Sequence, residues 1–498
     1  MRRVLCTCFL VTFEGQSLTV SLSFGFVLFV FLLIGLFSRS RAKANSEDYY
    51  LAGRAISPLM VGLSAAASWC SGFMFIGQIG FTYNRGLSSI WIMLGLILGD
   101  LFVASLAFRR FRVQTEKHNQ QSYFEGLFDS ASENQSLIER VLLWFVCAVA
   151  LVALVGYSAA QILASGKAFE AVYALPIEVG AVLTAVIIAM YCFSGGIRAS
   201  IWTDVAQAVT MLLAISILFV QSLLFVGGPH SFIDALAGMP ADFISFYPPD
   251  IIHQSPLFLF LIFLGWFGGG VGVGGQPHVI VRFMALNSGK EMNRALGYYY
   301  GYYIALYALA ILIGLSSRII MPDLINGDSE LALPMLAKEL LPDFLIGAIL
   351  AGLFASTMST ADSLVLSASA LVTRDLFPGL SEKYGAMKMF TLLILASALG
   401  LVLSSASGVF KKVIIFGGML SASFAPIMLL RMLQMQLPLQ VMAWMAIAGF
   451  FATSIWRELG YSYIIYQVAV GIAVGLVVGL LYKFFRWARK DKSERVRN

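Results

Sequence analysis

Long apolar runs separated by short polar and basic segments dominate the chain. The first clear run is Ser17 to Ser38, 22 residues without a charge. About 20 mostly apolar residues cross a bilayer as a helix, because every backbone N–H and C=O must find its partner within the segment. Further runs lie near 57–83, 87–108, 138–166, 174–194, 199–226, 256–281, 295–320, 343–373, 386–406, 413–433, 439–456 and 462–485. The pattern predicts an all-α polytopic membrane protein with about 13 transmembrane helices. Met1 to Phe13 has some signal-peptide character. No small-residue cleavage site follows it and the next run is too long, so it reads as an extension before the first span.

Composition agrees with this pattern. The 498 residues are 59% hydrophobic and only 12% charged, against about 25% charged in average soluble domains. Several soluble cores cannot be covered with that supply. Five cysteines are too few for a disulfide scaffold, and Cys70, Cys147 and Cys192 lie inside apolar runs. Lys and Arg concentrate on alternate loops and in the tail after Lys483. The bias puts the N-terminus outside and the C-terminus in the cytoplasm. The net charge of +6 is then an inner-leaflet signature rather than a nucleic-acid footprint. The bilayer is the expected partner, with no obligate protein partner evident.

Three spans depart from plain Leu/Val/Ile/Phe runs. The second, Val61 to Gly80, crowds Ser64, Ala65, Ala66, Ala67, Ser68, Ser71 and Gly72 together. Such a stretch either breaks mid-membrane or packs tightly through its small residues. In the seventh, seven of the eleven residues from Gly265 to Gly275 are glycine and Pro277 follows. Each glycine costs about 1 kcal/mol against alanine in a helix, and proline removes a donor. Broken backbone at membrane depth is tolerated where it lines a cavity or is buried in protein, so an unwound helix is expected. The GxGxxG match at Gly270–Gly275 lacks a surrounding βαβ unit and is set aside. In the ninth, 16 of the 27 residues from Gly347 to Thr373 are Gly, Ala, Ser or Thr. Ser356, Ser359, Thr360 and Ser363 stand at i, i+3, i+4 and i+7, one helical face. Oxygens on such a face suit a hard cation. The neighbouring Asp362 is a functional candidate, as intramembrane carboxylates are by default; otherwise the hydroxyls bond their own i−4 carbonyls and Asp362 caps a neighbouring helix.

The two interruptible spans stand five apart. Discontinuous helices at matching positions of two halves point to an inverted-repeat transporter with a midplane site. The halves would be 57–226 and 256–433, two inverted five-helix repeats, with 439–498 adding two helices and the basic tail.

The residues Asp48-Tyr49-Tyr50-Leu51-Ala52-Gly53-Arg54, Leu63–Ser68 with Ser71-Gly72, Gly195–Asp204, Gly275-Gln276-Pro277-His278 with Arg282–Ala285, and Met358-Ser359-Thr360 with Arg374-Asp375-Leu376 resemble the sodium:solute symporter family. The match runs through the first eleven spans in order. It implies Na⁺ as coupling ion and no organic cofactor, and uptake of a small-molecule substrate, an amino acid such as proline or a similar compound, across a bacterial inner membrane. It implies a sodium site at the carbonyls of Ala67, Cys70 and Ser356 and the hydroxyls of Ser359 and Thr360. It also implies substrate beside Ser71 and Gly72, against Gly274, Gln276 and Pro277. Trp69 departs from the resemblance, since the family's bacterial proline carriers have an aspartate there. Their seventh-span aromatics fall on Gly269 and Val273, and Trp266, a turn away, is the candidate in their place.

Arg54, Arg198, Asp204 and Asp362 are gating or structural candidates. Arg198 and Asp204 either pair across the loop between the fifth and sixth spans or mark the membrane edge. Asp100, after Gly95 and Gly99, has no partner assignable from sequence. An enzyme is not expected: HExxH, GxGD and Walker motifs are absent, and the four histidines at 118, 230, 253 and 278 are scattered. A channel would need a symmetric filter. A transporter-like receptor is the second reading, and the chain to Asn498 carries no kinase-sized extension in its favour.

Overall fold

The computed structural model describes residues 18–38, 40, 43, 45–128, 136–248, 255–380, 383–404 and 408–495. Met1–Phe13, Arg39, Arg41 and His253 lie outside the described residues. Nearly all described residues are helical, and the β pairing among them is a single parallel bridge between Ile56 and Leu286. Eleven helices among the described residues are long and apolar enough to cross a membrane, and two shorter apolar helices, Pro58–Trp69 and Ile177–Met190, accompany them.

Helix ends follow local chemistry. Pro58, Pro256 and Pro277 each open a helix, where the missing N–H would be unpaired anyway. Ser136 and Glu139 form a reciprocal capping box at the start of the 37-residue fourth span, Leu137–Tyr173. The fifth and sixth predicted spans are one helical run, Ile177–Val226, turned at Gly196 (φ 56°, ψ −145°). Only glycine takes that conformation readily, and a Cβ there would sit 2.5 Å from the Tyr49 carbonyl oxygen.

The second span is two segments. Pro58–Trp69 ends at Cys70 (φ −76°, ψ 56°), and a wide π-type turn, Phe73–Gln78, leads into Ile79–Arg85. The seventh is also two. Pro256–Val271 tightens into a 3₁₀ turn at Gly272–Gly275, Gln276 is extended (φ −104°, ψ 94°), and Pro277–Met284 resumes. The proline holds its predecessor out of the helical region. Both expected interruptions are therefore present. The ninth span, Asp343–Ala370, is continuous, and every residue from Ile349 to Ala370 is buried.

Packing around the two broken spans is reciprocal. Pro256–Val271 lies along the third span, Ile90–Val103, while Pro58–Trp69 and Ile79–Arg85 lie along the eighth, Met292–Ile320. The first crossing is closed by glycines. A Cβ on Gly99 would meet the Phe267 carbonyl at 2.0 Å, and one on Gly270 the Leu96 carbonyl at 2.2 Å. Near the ends, Asn287 N–H donates to the Ile56 carbonyl (2.9 Å) and Ile56 N–H to that of Ala285 (3.2 Å). The lead-in to the second span is thus tied to the exit of the seventh.

Candidate functional site

The break at Cys70 leaves the last carbonyls of Pro58–Trp69 without a following helical turn. The ninth span supplies partners. Ser359 Oγ donates to the Ala67 carbonyl (3.1 Å) and Thr360 Oγ1 to that of Ser68 (2.8 Å). The same two hydroxyls each lie 3.2 Å from the Ser356 carbonyl. Oxygens of Ala67, Ser68, Ser356, Ser359 and Thr360 therefore converge, all fully buried. The Ser356 hydroxyl turns to Leu353 O instead (2.7 Å). Cys70 sits at the break itself, buried. Four of the five expected ligand residues, all but Cys70, are joined by these hydrogen bonds. Neutral carbonyl and hydroxyl oxygens in a dry pocket fit an alkali cation better than a divalent one, which favours carboxylates. Among the described residues no cluster of His, Cys, Asp and Glu could hold a metal ion.

Next to this cage lies a buried ionic cluster. The Arg282 guanidinium donates to Asp204 Oδ2 (3.1 Å), Ser200 Oγ (2.8 Å), Ser64 Oγ (3.2 Å), the His278 carbonyl (2.9 Å) and Ser363 Oγ. Asp362 Oδ1 lies 3.8 Å from the same group and accepts from Ser363 Oγ at 2.8 Å. Ser64 Oγ donates to Asp204 Oδ2 at 2.5 Å. Of the two readings left open for Arg198 and Asp204, pairing with each other or marking the membrane edge, the pairing is not found: Asp204 is buried against Arg282. Six residues of helix separate the two by about 120° around the axis, so they face different neighbours. Arg198 pairs instead with Asp48 and donates to the Ala52 carbonyl (2.7 Å). Asp362 belongs to the Arg282 cluster. Arg54 ties three segments, donating to the carbonyls of Met284 (3.1 Å), Thr115 (3.1 Å) and Gln120 (2.5 Å). Asp100 receives the hydroxyls of Tyr299 (2.5 Å) and Tyr300 (3.0 Å).

A cavity opens beside the two breaks. Trp69, Trp266 and Gln276 line it, as expected of substrate contacts. Gln276 Nε2 is fixed by the Gly417 carbonyl and Ser421 Oγ, both at 2.8 Å. Its Oε1 has no partner among the described residues. The other expected substrate residues stand elsewhere. Ser71 is buried outside the lining, within hydrogen-bonding reach of Tyr157. Gly72 N–H donates to Gln161 Oε1 (2.9 Å), and a Cβ on Gly72 would meet that oxygen and Thr357 Cγ2, each at 2.9 Å. The Gly274 carbonyl accepts from Tyr123 (2.7 Å). Pro277 lines a second cavity with Tyr123 and Arg282. Gln276 and Pro277, adjacent in the chain, thus border different cavities on the two sides of the seventh-span break.

Sequence reading missed Tyr157, Tyr303, Tyr307 and Tyr466 in the wall. Tyr299, Tyr303 and Tyr307 stand at helical spacing, a signal the sequence does contain. Tyr466, which stacks on Trp266 (ring centroids 4.2 Å apart, 21° between planes), has none.

At the far side of the second cavity, Arg374 pairs with Glu125 (2.9 Å) and Ser122 Oγ donates to Asp375 (2.8 Å). On another part of the molecule, Lys167 pairs with Asp328 (2.6 Å) and Glu330 (2.7 Å), and Glu330 also accepts the Phe410 N–H (2.9 Å).

The family model of the sodium:solute symporter family matches residues 49–479. The chain is 27% identical to a sodium/proline symporter of Escherichia coli (strain K12), covering 89% of each chain. It is 28% identical to a high-affinity proline transporter of Bacillus subtilis (strain 168), covering 89% of this chain and 93% of that one. Its fold is similar to a solved Na⁺-coupled sialic acid symporter in a substrate-bound outward-open state, with TM-score 0.76, 18% identity, and 93% and 98% of the two chains covered.

Proposed function

Because this chain belongs to the sodium:solute symporter family, whose members are transporters and not enzymes, we propose that it couples Na⁺ entry to import of a small organic solute by alternating access. The solute is an amino acid such as proline or a similar compound. The observation that carries this reading is the oxygen cage at the second-span break, where Ser359 and Thr360 meet the Ala67 and Ser68 carbonyls. The ion sits there, held by the carbonyls of Ala67, Cys70 and Ser356 and the hydroxyls of Ser359 and Thr360. The solute occupies the cavity lined by Trp69, Trp266 and Gln276. The reciprocal packing of the two broken spans supports inverted halves over 57–226 and 256–433. The cavities on either side of Gln276-Pro277 support access from opposite faces in turn. The basic tail lies on the cytoplasmic side.

One charge entering down about 100 mV releases about 2.3 kcal/mol. A tenfold sodium gradient adds roughly 1.4 kcal/mol, and together these support about 500-fold solute accumulation per ion. Proteoliposome uptake under an inward sodium gradient tests the reading. Solute accumulation is expected with sodium outside and none with potassium; equal uptake from both would sink the symporter.

A further inference from the structure

The cavity wall limits what the solute can be, and this step rests on the symporter reading. Seven of the seventeen lining residues are aromatic and none is charged. Apart from tyrosine hydroxyls, indole N–H groups and backbone, the wall's polar groups are the side chains of Gln276 and Ser421. Trp266 and Tyr466 stack into one plate. Trp69, within hydrogen-bonding reach of Tyr303, follows directly on Ala67 and Ser68 of the ion cage.

Each solute class meets this wall differently. A sugar would bring many hydroxyls to a wall whose polar groups are a few tyrosine hydroxyls, two indole N–H groups, Gln276 and Ser421. An anion without a positive charge would face the negative faces of the rings with no Lys or Arg beside it. A primary ammonium brings three donors and a tight hydration shell, against which the wall sets one unpaired amide oxygen, Gln276 Oε1, and no carboxylate. A fully N-alkylated ammonium brings no donor, is weakly hydrated, and is held by ring faces through cation–π attraction. A carboxylate on the same solute would be balanced by a sodium ion held at the cage, whose Ala67 and Ser68 carbonyls immediately precede Trp69 in the chain.

We propose that the solute is a compact zwitterion with an N-alkylated, quaternary ammonium group, gripped between Trp69 and the Trp266–Tyr466 plate, with its carboxylate toward the sodium cage.

The test uses the full chain in proteoliposomes with an inward sodium gradient and potassium as control. Radiolabelled N,N-dimethylproline is the probe. The competitors are proline, glycine betaine, glucose and 2,2-dimethylcyclopentanecarboxylate, the carbon isostere without the charge. Sodium-driven uptake of the probe is expected. Glycine betaine competes, proline competes roughly tenfold less well, and the isostere and glucose hardly at all. Trp69→Leu raises the KM for the probe roughly tenfold, and Trp69→Phe recovers part of it. A sodium-dependent thermal shift measured without solute stays as in the parent protein for both variants, which shows that they fold and bind the ion. Sodium-driven uptake of proline with exclusion of dimethylproline overturns this proposal and leaves the symporter standing. So does equal competition by the isostere, or a sodium-dependent thermal shift with no uptake of any compound in the panel. Equal thermal shifts in sodium and potassium, with no gradient-driven uptake, overturn both.

Discussion

Replacing Thr360 with valine removes one oxygen from the proposed ion cage while keeping the branched shape of the side chain. Without the ion, Thr360 Oγ1 donates to Ser68 O at 2.8 Å and approaches Ser356 O at 3.2 Å. A neutral hydrogen bond of this kind contributes about 1 kcal/mol net, whereas a contact to a charged partner contributes about 1.5–3 kcal/mol. The ion-bound state therefore loses more than the empty one, by about 0.5–2 kcal/mol. That difference is roughly a two- to thirtyfold rise in the sodium concentration needed for half-saturation. Solute KM at saturating sodium stays within about twofold, since valine touches no cavity wall. The matched control is Thr357→Val. Its hydroxyl, on the same helix, bonds Phe354 O (2.9 Å) and Ser165 (2.5 Å), away from the cage. Sodium titration of purified protein by thermal shift, paired with uptake at varied sodium, reads both numbers. A folded Thr360→Val protein whose sodium half-saturation moves less than twofold, or moves no more than that of Thr357→Val, would refute the placement of the ion.

Other substitutions probe the scaffold. Arg282→Met strands two buried carboxylates and should destabilise by about 3–5 kcal/mol; detergent thermal unfolding should show the loss, and a melting point equal to the parent's would mean that the Asp204–Arg282–Asp362 cluster is not held as a unit. Gly270→Ala drives a methyl to 2.2 Å from the Leu96 carbonyl, and overpacking of about 1–3 kcal/mol is expected in the same assay. Gly297→Ala, also within a helix but with nothing inside 4 Å of the added Cβ, should instead be neutral or gain up to about 1 kcal/mol. Gly72→Ala presses on Gln161 and Thr357 at 2.9 Å and should reduce uptake several-fold; unchanged uptake would show that the second-span break tolerates displacement.

The legible parts of this protein are those that one segment decides by itself. A span must satisfy its own backbone in lipid, so the apolar runs mark helices directly. A glycine run ended by proline cannot sustain a helix whatever surrounds it, so the seventh-span break is written locally. Hydroxyls at 356, 359, 360 and 363 share a face by helical period alone, and Ser359 and Thr360 reach the second-span carbonyls as that face requires. Choices between distant partners are not local. Arg282, rather than Arg198, takes Asp204 because the seventh span crosses the sixth and ninth there. Tyr466 reaches the cavity only because the last span docks on Pro256–Val271. Gly274 and Pro277 leave the cavity because the break turns the chain between Gln276 and Pro277, and a backbone turn sends neighbouring residues to different walls.

The same break explains why ion and solute should influence each other without a separate relay. Ala67 and Ser68, whose carbonyls meet the ninth span, are followed immediately by Trp69 in the cavity wall and Cys70 at the end of the helix. Gly72, two residues on, is held by Gln161 of the fourth span. In the absence of a cation the cage relies on two hydroxyl bonds to carbonyls, each modest. A cation in the cage attracts the oxygens of both spans at once, and so fixes where the second span ends and where Trp69 projects. A solute that needs Trp69 in that place then binds the ion-filled protein more tightly, and by linkage the ion binds the solute-filled protein more tightly by the same factor. A continuous helix could not do this, because its end would lie outside the bilayer and its midplane carbonyls would already be paired within the helix. With the ion and the solute placed as proposed, the interruption is what makes one short segment answer to two ligands.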